Sequence, residues 1–208
     1  MAATGARAAH AASLDLGAQR KLELWLDLLA KWNRVYNLTA IRDRAQMTTH
    51  HVNDALAILP HLPQAASLRV LDIGTGAGIP GIPIAIARPH WQVALLDSNQ
   101  KKIAFVTQAA AEIGLANVTP IAARAEAWRA GEPFDVVVSR AYSELAPFAK
   151  LAIRYLAADG RIVAMKGAYP AGEIAALPPE IEVLATPRLD VPGLDAERHL
   201  VVMRPVRR

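Results

Sequence analysis

The chain contains no cysteine. That excludes disulfides, zinc thiolate sites and a thiol nucleophile, and it fits a reducing compartment, so the expected location is cytoplasmic. No apolar run approaches the roughly 18 residues that a membrane-spanning helix needs, and no membrane is expected among the partners. There is no internal repeat, and Pro178-Pro179 marks a turn, not a low-complexity segment. The opening residues 1–13 are rich in alanine and lack the apolar core of a secretory signal, so they read as a flexible tail. Charge imbalance is also slight: 23 basic against 19 acidic residues leave a net +4. This permits a polyanionic partner without demanding one.

What is present is ample apolar material. The 208 residues are 53% hydrophobic and 20% charged, enough for one domain with an appendage and a sizeable core. Leu22, Trp25, Leu26, Leu29 and Trp32 recur at helical spacing between residues 14 and 35 and form one apolar stripe. A second helix is expected at 44–59, ended by Pro60, and 60–67 is a linker. Strands and helices then alternate, with strands at 68–73, 92–97, 118–122, 134–139 and 161–166 and helices at 81–87, 99–114 and 143–156. Runs such as Val136-Val137-Val138 imply that both sheet faces are covered. This alternation predicts an α/β fold with a parallel doubly wound sheet. Segments 181–187 and 199–204 add two strands as an antiparallel edge, giving seven in all. The expected organisation is a tail (1–13), an N-terminal helical extension (14–66) and an α/β domain (67–208).

The richest local pattern is Asp72-Ile73-Gly74-Thr75-Gly76-Ala77-Gly78-Ile79-Pro80-Gly81, between the first strand and its helix. Glycines let backbone turn sharply and approach a ligand closely. An acid, Asp72, ends this strand and another, Asp97, ends the next. The pair suits a ligand with an amine-bearing tail and a ribose diol, and S-adenosylmethionine is such a ligand. Gly76 to Gly81 also fits the dinucleotide fingerprint GxGxxG, with Asp97 about 20 residues on. Two details favour the methyl donor. A pyrophosphate gains nothing from Asp72 before the first glycine, and glycine at alternate positions makes a wider loop.

In such sheets ligands bind beyond the carboxyl ends of the strands, where strand order reverses. The expected lining is therefore Gly74, Gly76, Gly78 and Ile79, then Asp97, then Ala125 and Glu126, then Arg140, with Lys166 at the fifth strand. Asp97 is expected to accept ribose hydroxyls, with helix capping as the competing role. Arginine is rarely buried unpaired, so Arg140 at a strand's end reads as a site residue. His51 reads as a structural histidine bonded to Asp54, three residues on. No third ligand stands at sensible spacing, so no metal site is expected.

Several segments together, each unspecific alone, carry a family resemblance. They are Lys31-Trp32-Asn33-Arg34-Val35-Tyr36-Asn37-Leu38-Thr39, His51-Val52-Asn53-Asp54, the glycine loop, Leu95-Leu96-Asp97-Ser98, Ser139-Arg140-Ala141, Lys166-Gly167 and Glu197-Arg198-His199-Leu200-Val201-Val202. In this order and spacing the chain resembles the RsmG (GidB) family of bacterial small-subunit ribosomal RNA guanine-N7 methyltransferases. The resemblance implies a class I, Rossmann-like methyltransferase fold, S-adenosylmethionine, and a guanine of small-subunit (16S) ribosomal RNA, free or in a ribosomal particle, as acceptor. It places Gly74, Ile79, Ala125, Glu126 and Arg140 in the donor pocket and marks His51, Asp54, Arg140 and Arg198 as candidate catalytic residues. Where the family has a serine after the acid of the His51 motif, this chain has Ala55. A monomer is expected.

The missing residues agree with that acceptor. Methylating a pyrimidine carbon usually requires a cysteine nucleophile. Methylating an exocyclic amine usually uses an Asn/Asp-Pro-Pro-aromatic loop, and Ser139-Arg140-Ala141-Tyr142 stands in its place. Guanine N7 offers an in-plane lone pair and needs no base, so positioning is the expected catalytic device. Trp25 and Trp32 read as core, Tyr142 as a base-stacking candidate, and Arg34, Arg42 and Arg44 as phosphate contacts.

Overall fold

The computed structural model describes residues 14–140, 142 and 144–206. The expected tail, Ala141 of the Arg140 motif, Ser143 at an expected helix start and the terminal Arg207-Arg208 lie outside the described residues. Seven strands form one sheet: β1 (Arg69–Ile73), β2 (Gln92–Asp97), β3 (Val118–Ala122), β4 (Phe134–Ser139), β5 (Leu156–Lys166), β6 (Ile181–Ala185) and β7 (His199–Pro205). Their order is β3-β2-β1-β4-β5-β7-β6. Neighbours from β3 to β5 pair in parallel, and β7 runs antiparallel to both β5 and β6.

Successive residues of a strand face opposite sides, and the core divides accordingly. Val70, Val93 and Val136 join Ile82 and Phe105 under α4 (Gly81–Ala87) and α5 (Gln100–Ile113). Leu71, Ile73 and Val137 join Phe148 and Tyr155 beneath α6 (Leu145–Ala152). The run Val136-Val137-Val138 is fully buried, as strands covered on both faces must be.

The expected first helix is α1 (Leu16–Tyr36). Asp15 caps it by accepting from the Ala18 N–H, and Asn37 ends it in the left-handed region at φ 49°. Its stripe of Leu22, Trp25, Leu26 and Leu29 is buried against α5 and α4, in one continuous core with the sheet. Trp32 lies on Phe105, with ring centroids 5.6 Å apart.

Two expected elements need correction. The second helix is not one α-helix. It comprises α2 (Arg44–Met47), a π-helical turn (Thr48–Asn53) and α3 (Asp54–Leu56). Pro60 does not end it but lies inside a 3-10 turn (Leu59–His61), where a missing N–H costs little. Strand β5 also begins five residues before the expected 161. Phe134 pairs with Leu156 and Val136 with Arg161, so residues 157–160 bulge out of register. Ala157-Ala158-Asp159-Gly160 therefore carries turn residues inside a strand. A short α7 (Ala171–Ala175) was not anticipated. No helix among the described residues is long and apolar enough to cross a membrane.

Candidate active site

The glycine loop follows from its backbone requirements. Gly74, Gly76 and Gly78 have φ of 73°, 59° and 87°, a region that side chains disfavour. Gly81 answers a different need: a Cβ there would come within 2.0 Å of Leu95 Cδ2. The loop is tied to β2 by the Gly74 and Thr75 N–H groups, which donate to the Leu96 carbonyl at 2.8 and 3.1 Å.

Asp72 braces this loop from behind and is in the lining of neither cavity described below. It is fully buried, and one carboxylate oxygen accepts from Thr75 Oγ1 at 2.6 Å and from the Gly81 N–H at 3.0 Å. Its other oxygen has no hydrogen-bond partner. Burial pushes this carboxyl up to about 7, against the pull of its two donors.

The first cavity, of about 180 Å³, lies beyond the ends of β1, β2 and β3. Gly74, Asp97, Ala125 and Glu126 line it as expected, together with Arg124 and Tyr142. Asp97 accepts from the Gly76 N–H at 3.0 Å and the Asn99 N–H at 2.8 Å, one on each oxygen. Each oxygen retains a lone pair for a further donor. Gly78 and Ile79 are buried behind the loop, and Gly76 is half-buried. Tyr142 packs on Phe148 at 5.2 Å and faces this cavity, not the second. Tyr155 escaped the sequence reading: its hydroxyl donates to the carbonyls of Ala125 and Trp128 and pins the cavity-lining loop. Nothing local to Tyr155 signals this, because its partners come from 27 and 30 residues earlier.

The second cavity, of about 260 Å³, lies beyond β4 and β5, bounded by Asp54, Arg140, Met165, Lys166, Gly167 and Arg198. Arg140 is here, separate from the lining of the first cavity. Asp54 has 1% of its side chain exposed, and Arg198 Nε donates to it at 3.1 Å. Arg140 Nη1 lies 3.4 Å from its other oxygen and donates to the His50 carbonyl at 3.0 Å. Burial raises the Asp54 carboxyl, and the two guanidinium groups oppose that rise. Lys166 Nζ pairs with Glu173 at 2.7 Å. The strand order reverses between β1 and β4, so the two cavities flank the switch point.

The His51 side chain does not bond to the Asp54 carboxylate; between the two residues the Asp54 N–H donates to the His51 carbonyl. The imidazole is buried, and its Nε2 shares a 3.0 Å hydrogen bond with Thr39 Oγ1. The π turn changes which residues share a helix face, so the three-residue spacing no longer joins the two side chains. Burial, then the Arg140 charge, lower the imidazole to about 4, so it is neutral at physiological pH. Ala55 is fully buried. Arg44 is not a free phosphate contact: it pairs with Glu23 and Asp27. Arg42 donates to Asn37 Oδ1 at 2.9 Å, and both it and Arg34 are exposed. Among the described residues no three His, Cys, Asp or Glu side chains are grouped to hold a metal ion.

Among solved structures, the fold matches TrmN from Thermus thermophilus at TM-score 0.59 and 22% identity, covering 73% of this chain and 48% of that one. It also matches a SAM-dependent methyltransferase from Thiobacillus denitrificans, in complex with S-adenosyl-L-homocysteine, at TM-score 0.57 and 16% identity, covering 83% and 98%. Ribosomal RNA small subunit methyltransferase G of Chromobacterium violaceum is 51% identical over 205 residues, 93% of this chain and 97% of the relative. The protein of that name from Burkholderia ambifaria is 52% identical over 198 residues, 91% and 87% respectively. The family model for rRNA small subunit methyltransferase G (GidB) matches residues 18–201. With the class I fold, a glycine-loop cavity and this match over most of its length, the chain belongs to the rRNA small subunit methyltransferase G family.

Proposed function

We propose that the chain transfers a methyl group from S-adenosylmethionine to N7 of a guanine in small-subunit ribosomal RNA. One observation carries the reading beyond family membership. Two cavities of different chemistry flank the switch point, one with two carboxylates, Arg124 and the start of the glycine loop, the other with two arginines and a lysine around Asp54. The first fits a nucleoside donor. Asp97 has lone pairs left for ribose hydroxyls, Ala125 and Glu126 face the same space, and Gly74 brings bare backbone to its wall. The second fits a polyanionic acceptor, since Arg140, Arg198 and Lys166 outnumber the acids beside them, Asp54 and Glu173.

When bound, the donor supplies an electrophilic methyl group on a positively charged sulphur. An in-plane lone pair such as that of guanine N7 would accept this methyl group as the S–C bond broke, with no base required. No proton moves. A neutral, buried His51 bonded to Thr39 is suited to structure and not to base chemistry. The chain's residues therefore orient the base and exclude water. Holding reactants in line supplies on the order of 7 kcal/mol or more.

Residues 14–66 form the extension that walls the acceptor cavity through Asp54, and 67–208 form the methyltransferase domain. The chain acts as a monomer in the cytoplasm, where ribosomal particles are found. Tritiated donor, small-subunit particles and a metabolite panel test the reading. Label mapped to one guanine N7 is expected; label on a metabolite or protein alone rejects it. Calorimetry should show S-adenosylhomocysteine binding and no NAD binding.

A further inference from the structure

Asn33 is a polar residue inside the apolar stripe of α1, with 3% exposure. Its amide Nδ2 donates to the Ile41 carbonyl at 3.2 Å, and its Oδ1 accepts from the Thr39 N–H at 2.9 Å. These bonds close the loop that follows the left-handed Asn37. Thr39 Oγ1 accepts from the Ile41 N–H at 3.2 Å and shares the 3.0 Å bond with His51 Nε2. His51 belongs to the π turn, whose residue His50 offers its carbonyl to Arg140, and Asp54 directly follows that turn. Asp54 in turn holds Arg198 and Arg140. Side-chain hydrogen bonds thus run from α1 to His51, and the backbone of the π turn continues the link to both arginines, although neither Asn33 nor Thr39 lines the acceptor cavity.

We propose that Thr39, fixed by Asn33 and bonded to His51, is a positioning residue for Arg140 and Arg198 in methyl transfer, which rests on the reading above. Buried polar groups are costly unless bonded, and a packed turn could be built from apolar residues alone. Turns of the π type are rare and concentrate at functional sites. The Thr39 hydroxyl selects one placement of this turn, and so one placement of the His50 carbonyl and the Asp54 carboxylate. Small misplacements far from the chemistry reduce rates steeply when catalysis rests on alignment.

The test uses the full chain with methyl donor and small-subunit particles. Thr39→Val keeps the shape and removes the hydroxyl with its two part-buried bonds, to His51 and from the Ile41 N–H, and kcat/KM should fall about tenfold. Thr39→Ser should restore it to within about threefold of the wild type. A double-mutant cycle with Asp54→Asn separates positioning from general stability. Thr39→Val and Asp54→Asn should give a combined loss smaller than the product of the two. Ile113→Val, a mild change in the remote core, should multiply with Asp54→Asn independently. If the valine variant fails to fold, His51→Gln enters the same cycle and the same outcomes decide. Wild-type turnover in Thr39→Val, or losses that simply multiply, overturns the positioning role. A wild-type chain that transfers no methyl group overturns the methyltransferase reading, and this proposal with it.

Discussion

Asp54 and Arg198 are separated by 144 residues and meet at 3.1 Å with the carboxylate almost wholly buried. The contact joins the N-terminal helices to the segment before β7, and Arg140 from the end of β4 completes it. Removing one member of a buried ion pair leaves the other charge desolvated and unpaired.

Asp54→Ala should therefore destabilise the fold by about 3 kcal/mol and lower kcat/KM for the particle about a hundredfold by releasing both arginines. Denaturant unfolding and initial rates check this. S-adenosylhomocysteine affinity should fall much less than the rate, since Asp97 and the glycine loop are untouched. An equal fall in both would mean that the two cavities act as one.

Gly81→Ala should abolish donor binding while the chain still folds. Its Cβ would need the space of Leu95 Cδ2, 2.0 Å away, and would press on the Asp72 oxygen at 3.0 Å. Overpacking of this kind costs about 1–3 kcal/mol and shifts backbone. The backbone that shifts is the loop itself. Calorimetry with S-adenosylhomocysteine beside a melting curve reads both effects, and normal affinity would refute the account.

Stability should carry opposed pH dependences from two buried groups. His51 has a folded value of about 4 against an ordinary 6.5, so the unfolded chain binds more protons between these values. Its contribution is intact above about 6.5 and is lost as pH falls toward 4, by on the order of 3 kcal/mol. Asp72 is raised to about 7, so the folded chain holds the extra proton, and its contribution is lost as pH rises through that value. Compared with wild type, His51→Gln should be relatively more stable at pH 4 than at pH 7. Asp72→Asn should show the reverse preference. Parallel unfolding curves for all three proteins would refute both assignments.

Tyr155→Phe should raise the donor KM several-fold with little change in kcat. It removes only the hydroxyl that pins the Ala125 and Trp128 carbonyls, a loss of about 1–3 kcal/mol for the unpaired buried acceptors. The Trp128 ring still stacks on it at 5.3 Å, so the fold should persist. A change confined to kcat would place Tyr155 on the acceptor side.

Much of the molecule was legible because its signals are local. The strand positions of β1 to β4, the glycine loop and the acid that ends β2 each rest on residues within a few positions of one another. The long β5 was not legible, because Gly160 reads as a turn until Phe134 and Val136 pair across it with Leu156 and Arg161. The broken second helix was not legible either, since its periodicity fits a plain α-helix. Its π turn becomes apparent only where Thr39 meets His51 and Arg140 meets the His50 carbonyl.

By itself the sequence determined the alternation of elements, the glycine conformations and the absence of thiol chemistry. These follow from near-neighbour sterics and from residue type. Tertiary structure alone decided that Arg140 belongs with Asp54 and Arg198, that His51 is neutral and bonded to Thr39, and that Arg44 is already paired. Charge states and partners depend on burial and on which distant segments the packed core brings into contact. Burial and contact of that kind exist only once the chain is folded.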